Sequence, residues 1–295
     1  MKKFVIIADS TCDLGKDLRE LYDIDYVKMN IVVDGKEMPA SLDWEQYSAK
    51  ELYDWMRNGK RVFTTQVPYD EFKNLFTKYL DAKMDILYIS CSSALSGSIN
   101  IANSVKEELL KNYNNANIVC FDSLCASLGQ GALCIEAAKK RQEGCDLAAT
   151  VEYLKSIRLD INQFCTVGSL TYLKNAGRVK ASSAFFGNLF GVKPIIISDA
   201  KGQNYAFKKV KGRKGSLNEL LDMLRTNGVN VADQVIYISH ADCIEDANYL
   251  KEQIENEYHP KDIYVNYIGP IVGGSTGPDT IAIYAFGKTV TIVGE

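Results

Sequence analysis

Five serines and a glycine crowd SCSSALSGSIN, Ser90–Asn100, directly behind DILYI, a run that reads as a buried strand. Two other strand-like runs end in the same chemistry. KFVIIA leads into Asp9, Ser10 and Thr11, and NIVCF leads into Asp122, Ser123 and Ser127. A fourth hydroxyl pair, Thr64 and Thr65 in VFTTQVPYDEF, precedes a helical pattern. In an open parallel sheet, ligands bind outside the carboxyl ends of the strands, so these loops can converge on one crevice. Hydroxyls donate to carboxylate or phosphate oxygens, helix N-termini favour anions, and Gly97 lets backbone approach a ligand closely. The guest such a pocket expects carries a small anionic head. A competing reading is local: Ser, Thr and Asp are the preferred N-caps, and each of these loops opens a helix. A cap uses one side chain per helix, however, and the loop from Ser90 to Ser98 offers five.

Nucleophilic catalysis is poorly served. There is no G-x-S-x-G elbow, and the chain has two histidines, His240 and His259. His240, in ISHADCIEDA, is read either as a structural residue or as one facing a cleft; His259, beside Pro260, reads as a surface turn. The enzymatic alternative is a small-molecule enzyme acting on an acyl or phosphorylated substrate through Ser96, with His240 or Asp122 as its partner. Neither G-x-x-x-x-G-K-[ST] nor G-x-G-x-x-G occurs. Eight cysteines are scattered without a C-x-x-C pair, so the expectation is reduced thiols, with neither disulfides nor zinc.

The elements that must position these loops alternate. Apolar runs of strand length recur from KFVIIA to IAIYAF, among them KMNIVV, FCTVGS, KPIIIS and QVIYISH. Between them lie helical spacings such as Phe72, Leu75, Phe76, Tyr79 and Leu80, or Leu217, Leu220, Leu221 and Leu224. The fold class expected is α/β with two domains and a site between them: an N-terminal parallel-sheet domain, residues 1–160, and a C-terminal domain, residues 161–295. RLDINQ is read as ending a helix at that boundary. NYAFKKVKGRKG reads as an exposed alternating strand with a basic turn, which makes the second sheet mixed. Within 295 residues, 46% hydrophobic, this leaves a sizeable core. A net charge of -3, with no long runs of one sign, argues against a nucleic-acid partner. The short apolar run near the N-terminus is interrupted by Asp9, and no segment is long and apolar enough to span a bilayer, so a cytoplasmic protein is expected.

Taken together, DSTCDL, TTQVPYDEF, SCSSALSGS, FDSLCASLGQGA, LTYLKNAGRVKASSAFFGNLFGVKPII and IGPIVGGSTGPDTIAIYAFG resemble, in order, the signature blocks of the DegV family. These are bacterial fatty-acid-binding proteins, including the acyl-carrying subunits of fatty acid kinase. The resemblance implies a long-chain fatty acid enclosed between two α/β domains, with its carboxylate held by hydroxyls of the TSQP-like and SxLSG-like loops. Here those are Thr64 with Thr65, and Ser96 with Ser93. It further implies no catalysis by the chain itself, no cofactor besides the bound lipid, and a separate ATP-dependent fatty acid kinase as the possible partner; a monomer is expected. Arg178 matches the arginine of the family's GGR block, with Ala176 in place of its first glycine; a salt bridge or helix-end contact is the competing role. Phe185, Phe186, Leu189 and Phe190 are candidates for an acyl tunnel or for ordinary core. In the last block, GPVIGxHxGPG, the chain departs: Ser275 stands at the histidine and Asp279 at the final glycine. Serine donates a hydrogen bond but carries no charge near neutral pH, which leaves acid binding better supported than presentation to a kinase.

Overall fold

The computed structural model describes residues 3–180, 185 and 191–294. The chain opens with β1 (Phe4–Asp9), α1 (Lys16–Leu21) and β2 (Ile24–Val27), followed by β3 (Asn30–Val33) and β4 (Lys36–Pro39). Next come α2 (Ala49–Arg57), β5 (Val62–Thr64), α3 (Tyr69–Asp81), β6 (Asp85–Ser90), α4 (Ser98–Leu109) and β7 (Ile118–Asp122). Two helices, α5 (Leu128–Gln142) and α6 (Leu147–Ile157), lead to β8 (Ile161–Thr166), α7 (Leu170–Ala176) and the two-residue β9 (Val179–Lys180). The remainder is β10 (Val192–Ser198), β11 (Asn204–Lys211), α8 (Gly212–Asn227), β12 (Val235–His240), α9 (Ile244–Tyr258), β13 (Asp262–Tyr267), α10 (Pro270–Thr276) and β14 (Ile281–Phe286).

Three sheets result. A parallel sheet runs β2-β1-β6-β7, and its central strands β1 and β6 are buried at every residue, as continuous apolar runs covered on both faces must be. A seven-stranded mixed sheet runs β13-β12-β14-β8-β10-β11-β9. There β12 and β13 are parallel, while β8 lies antiparallel to both β14 and β10. The strand in KMNIVV joins neither: it is β3, paired antiparallel with β4 and β5 in a small third sheet. RLDINQ needs correcting too. Helix α6 stops at Ile157, and Ile161–Gln163 pair with Tyr284–Phe286 of β14, so these residues begin a strand.

Helix faces follow the apolar spacing. In α3, Phe72, Phe76 and Leu80 are buried at successive i, i+4 positions. Helix α2 is set by a capping box, Ser48 accepting from the Glu51 amide while the Glu51 carboxylate accepts from the Ser48 amide. Helix α5 is unusual in being buried from Leu128 to Ile135 and again at Ala137 and Ala138. It packs on β1 and β6 of the parallel sheet and on β8, β12 and β14 of the mixed sheet. One apolar cluster therefore runs from Phe4 and Leu87 through Leu128 and Leu133 to Cys165 and Tyr284.

Candidate functional site

The strand-end hydroxyls do not cap their helices. The caps of α1 and α4 are Gly15 and Gly97, and Ser127, at the head of α5, makes no side-chain cap bond. What organises the loops is Asp9, buried at the end of β1. It accepts from the Thr11 amide (3.1 Å) and hydroxyl, from the Tyr88 hydroxyl (2.7 Å), the Cys91 amide (3.0 Å) and Gln130 Nε2 (3.2 Å). A carboxylate with that many donors is satisfied, so it ties the loops after β1 and β6 together and has no capacity left for a ligand.

Within the loop after β6, Ser92 is buried and donates to the Gly202 carbonyl (2.8 Å), and its own carbonyl accepts from the amides of Leu95 and Ser96. Ser96 is thereby turned to lie 3.0 Å, Oγ to Oγ, from Ser98. Ser98 in turn accepts from the Val67 amide (3.2 Å), which joins this loop to the segment that follows Thr64, the last residue of β5, and Thr65. Helix α10 closes the other side, packing on β5, with Ser275 in its last turn donating to Ile271 O (3.2 Å). Arg178, just beyond α7, donates to Ala176 O (2.6 Å), a helix-end contact, and to Leu95 O (3.3 Å).

These elements enclose a cavity of about 250 Å³. Its wall contains five of the six residues singled out from the sequence, Thr64, Thr65, Ser96, Ser275 and Arg178. Thr11, Gln66, Thr276 and Asn204 add polar groups, and Met29, Leu95, Ala126, Leu173, Val179, Ile271 and Val272 supply apolar surface. Cys91 also lines it, its thiol pushed far up by burial and so kept protonated. A neighbouring hollow of about 380 Å³ lies between the turn from Gly59 to Phe63 and α7, sharing Thr64, Arg178 and Ser275 with the first. Ser93 lies in neither lining; its side chain is exposed and its amide donates to Asp122 Oδ1 (3.1 Å). Phe185 is half-buried against the main core, while Phe186, Leu189 and Phe190 lie outside the described residues. The apolar wall that sequence reasoning missed comes from Met29, just before β3, from Leu173 of α7, Val179 of β9, and Ile271 and Val272 of α10.

The enzymatic partners of Ser96 are elsewhere. His240 lines neither hollow; it is buried against the Tyr267 ring at 4.5 Å, accepts from the Cys243 amide (3.3 Å), and burial holds its pKa below the usual histidine range. Asp122 is occupied by the amides of Ser93 and Leu124 (3.1 Å each). Among the described residues, no group of three or more His, Cys, Asp and Glu side chains is placed to hold a metal, and no helix is long and apolar enough to cross a membrane.

The likeness of this arrangement to known proteins extends over the chain. A DegV domain-containing protein of Clostridium perfringens is 37% identical over 289 residues, covering 98% of this chain and 99% of that one. The structure of a DegV family protein from Thermus thermophilus, described by its fatty acid binding, matches with a TM-score of 0.86 at 26% identity, covering 97% of this chain and 100% of that one. A stearic acid-binding protein from Eubacterium ventriosum matches with a TM-score of 0.84 at 24% identity, covering 96% and 98%. The sequence pattern of the family described as an uncharacterised protein, DegV family, is met from residue 3 to residue 288, and the chain belongs to the DegV family.

Proposed function

We propose that this chain binds a long-chain fatty acid between its two units, residues 1–160 and 161–295, and catalyses nothing itself. The observation that carries the reading is the composition of one cavity wall, which combines Thr64, Thr65, Ser96, Ser275 and Arg178 with Met29, Leu173, Ile271 and Val272. That is the pairing an amphipathic acid requires, polar donors for the head and apolar surface for the tail. Relatives described as fatty-acid-binding share the fold, and Ser96 has a serine rather than a histidine beside it.

The division of labour follows from magnitudes. Each buried methylene contributes about 0.8 kcal/mol, so roughly fifteen of them contribute about 12 kcal/mol before the losses of association are subtracted. The hydroxyls add less and fix orientation. Presentation of the carboxylate to a separate ATP-dependent kinase, by a monomer in the cytoplasm, completes the proposal; Ser275, uncharged where the family pattern has histidine, makes that step the one most altered in this chain.

Solvent extraction and mass spectrometry of the purified protein test the reading. The expected result is a long-chain fatty acid in roughly stoichiometric amount. Ser96→Ala combined with Thr64→Ala is expected to weaken binding by about 1–3 kcal/mol, a factor of about 5 to 150. Extracts free of lipid from well-folded protein, or turnover of an activated ester abolished by Ser96→Ala, would sink it.

A further inference from the structure

Arg57, the last residue of α2, reaches from the first half of the chain into the second. Its Nη1 meets the Asp242 carboxylate, and its Nη2 donates to Asp242 O (3.2 Å) and to Asp279 Oδ1 (2.9 Å). The same helix holds the opposite end of α10, where the buried Tyr53 hydroxyl donates to Ile268 O at 2.6 Å. Helix α10 therefore lies on α2, pinned just before its first residue and just after its last. A Cβ added at Gly273 would come within 2.3 Å of the Tyr53 hydroxyl oxygen, which measures how close that packing is. Between the pins, α10 carries Ile271, Val272, Ser275 and Thr276 into the cavity wall.

Asp279 is the informative partner. Its φ of +62° is left-handed, a conformation glycine adopts freely and other L-residues adopt at a cost. A loop needing only the turn would be served by glycine. The Asp279 carboxylate has one hydrogen-bonded partner among the described residues, Arg57. The neighbouring hollow, with Met56 in its wall, lies between the turn that follows α2 and α7, and the Tyr172 hydroxyl of α7 donates to Met56 O (3.0 Å). Widening that hollow draws the end of α2 away from the second half, and the contacts that must part include those of Arg57.

We infer that Arg57 and Asp279 form an ionic latch across the two halves that sets the rate at which a bound fatty acid leaves. Arg57 is a positioning residue in this scheme; it holds α10 and its cavity-lining side chains without lying in either lining itself. The inference rests on the lipid reading above.

Release of cis-parinaric acid, followed by its fluorescence on dilution into competing oleate, tests it. Asp279→Gly removes the pair but relieves the left-handed strain, so its melting temperature is expected to stay within about 3 °C of wild type, the shift of a sub-kilocalorie change, while release accelerates about fivefold. Arg57→Met, which removes the Asp242 contacts as well, is expected to accelerate release at least as much. Wild-type release should quicken as KCl is raised from about 0.05 to about 0.5 M, since screening weakens partly exposed pairs, and Asp279→Gly should lose part of that dependence and Arg57→Met most of it. Wild-type protein that binds the probe, with release unchanged in both variants and insensitive to salt, overturns the latch alone. Wild-type protein that takes up no acid overturns the lipid reading and the latch with it.

Discussion

Asp13 is a carboxyl group placed where water does not reach. It follows the β1 loop at a φ of +53°, is 1% exposed, and accepts from the Ser127 hydroxyl at 2.5 Å. Its other oxygen faces the Gly269 backbone at the head of α10 without a hydrogen bond of full geometry. Burial is the dominant effect and raises the pKa to about 8, against the smaller lowering by Ser127 and Gly269. Because the folded value lies above the unfolded one, the native state holds a proton that the unfolded chain releases. Stability from this group is full below about pH 4, declines as pH rises towards 8, and is lost above it. The expected loss is on the order of 5 kcal/mol. In urea unfolding, Asp13→Asn is expected to match wild type near pH 4 and to exceed it near pH 9; parallel pH profiles for the two proteins would refute this. Asp13 was legible as part of DSTCDL and nothing more. Burial is a property of what the second half of the chain brings over it, just as Ser96 and Ser93, indistinguishable in SCSSALSGS, are separated only by the turn that sends one inward and the other out.

Elements with a strong period were legible and short ones were not. The apolar stripe of α3 and the all-apolar cores of β1 and β6 carry their own signal, whereas β2, β4 and β5 have three or four residues each and exist through their neighbours. The same holds for the turn joining β10 to β11, which supports the site from the far half. Gly202, at φ +73°, offers its carbonyl to Ser92, the residue that shapes the loop presenting Ser96. A Cβ there would lie 2.2 Å from Ser92 Oγ and 2.8 Å from the Leu124 Cα, so both the backbone conformation and the space exclude a side chain. Gly202→Ala is expected to destabilise by about 2–3 kcal/mol, measured by denaturant midpoint, and to weaken acid binding beyond that through displacement of Ser96. A variant with wild-type stability and affinity would show that the turn is not coupled to the loop.

At the scale of the molecule, the alternation of strands and helices predicts α/β layers and a mixed second sheet, and both are present. What alternation does not reveal is that α5 serves two sheets at once. Every paired strand of the parallel sheet lies before residue 123 and every one of the mixed sheet after residue 160, yet α5 packs on both. Its glycines make that possible: a Cβ at Gly131 would lie 2.8 Å from Cys12 O, and one at Gly129 would lie 3.0 Å from the Tyr284 ring. Two halves joined only by a linker and a polar seam would melt separately. Here the cluster that includes Leu128, Leu133 and Tyr284 is one core, and neither half can open without exposing α5. Differential scanning calorimetry is therefore expected to give a single transition whose calorimetric and van't Hoff enthalpies agree, and an acid bound between the halves as proposed is expected to shift the whole peak upward. Two resolved transitions, or a shift confined to part of the peak, would mean that α5 belongs to one half and that the seam around Asp13 and Arg57 opens without unfolding either.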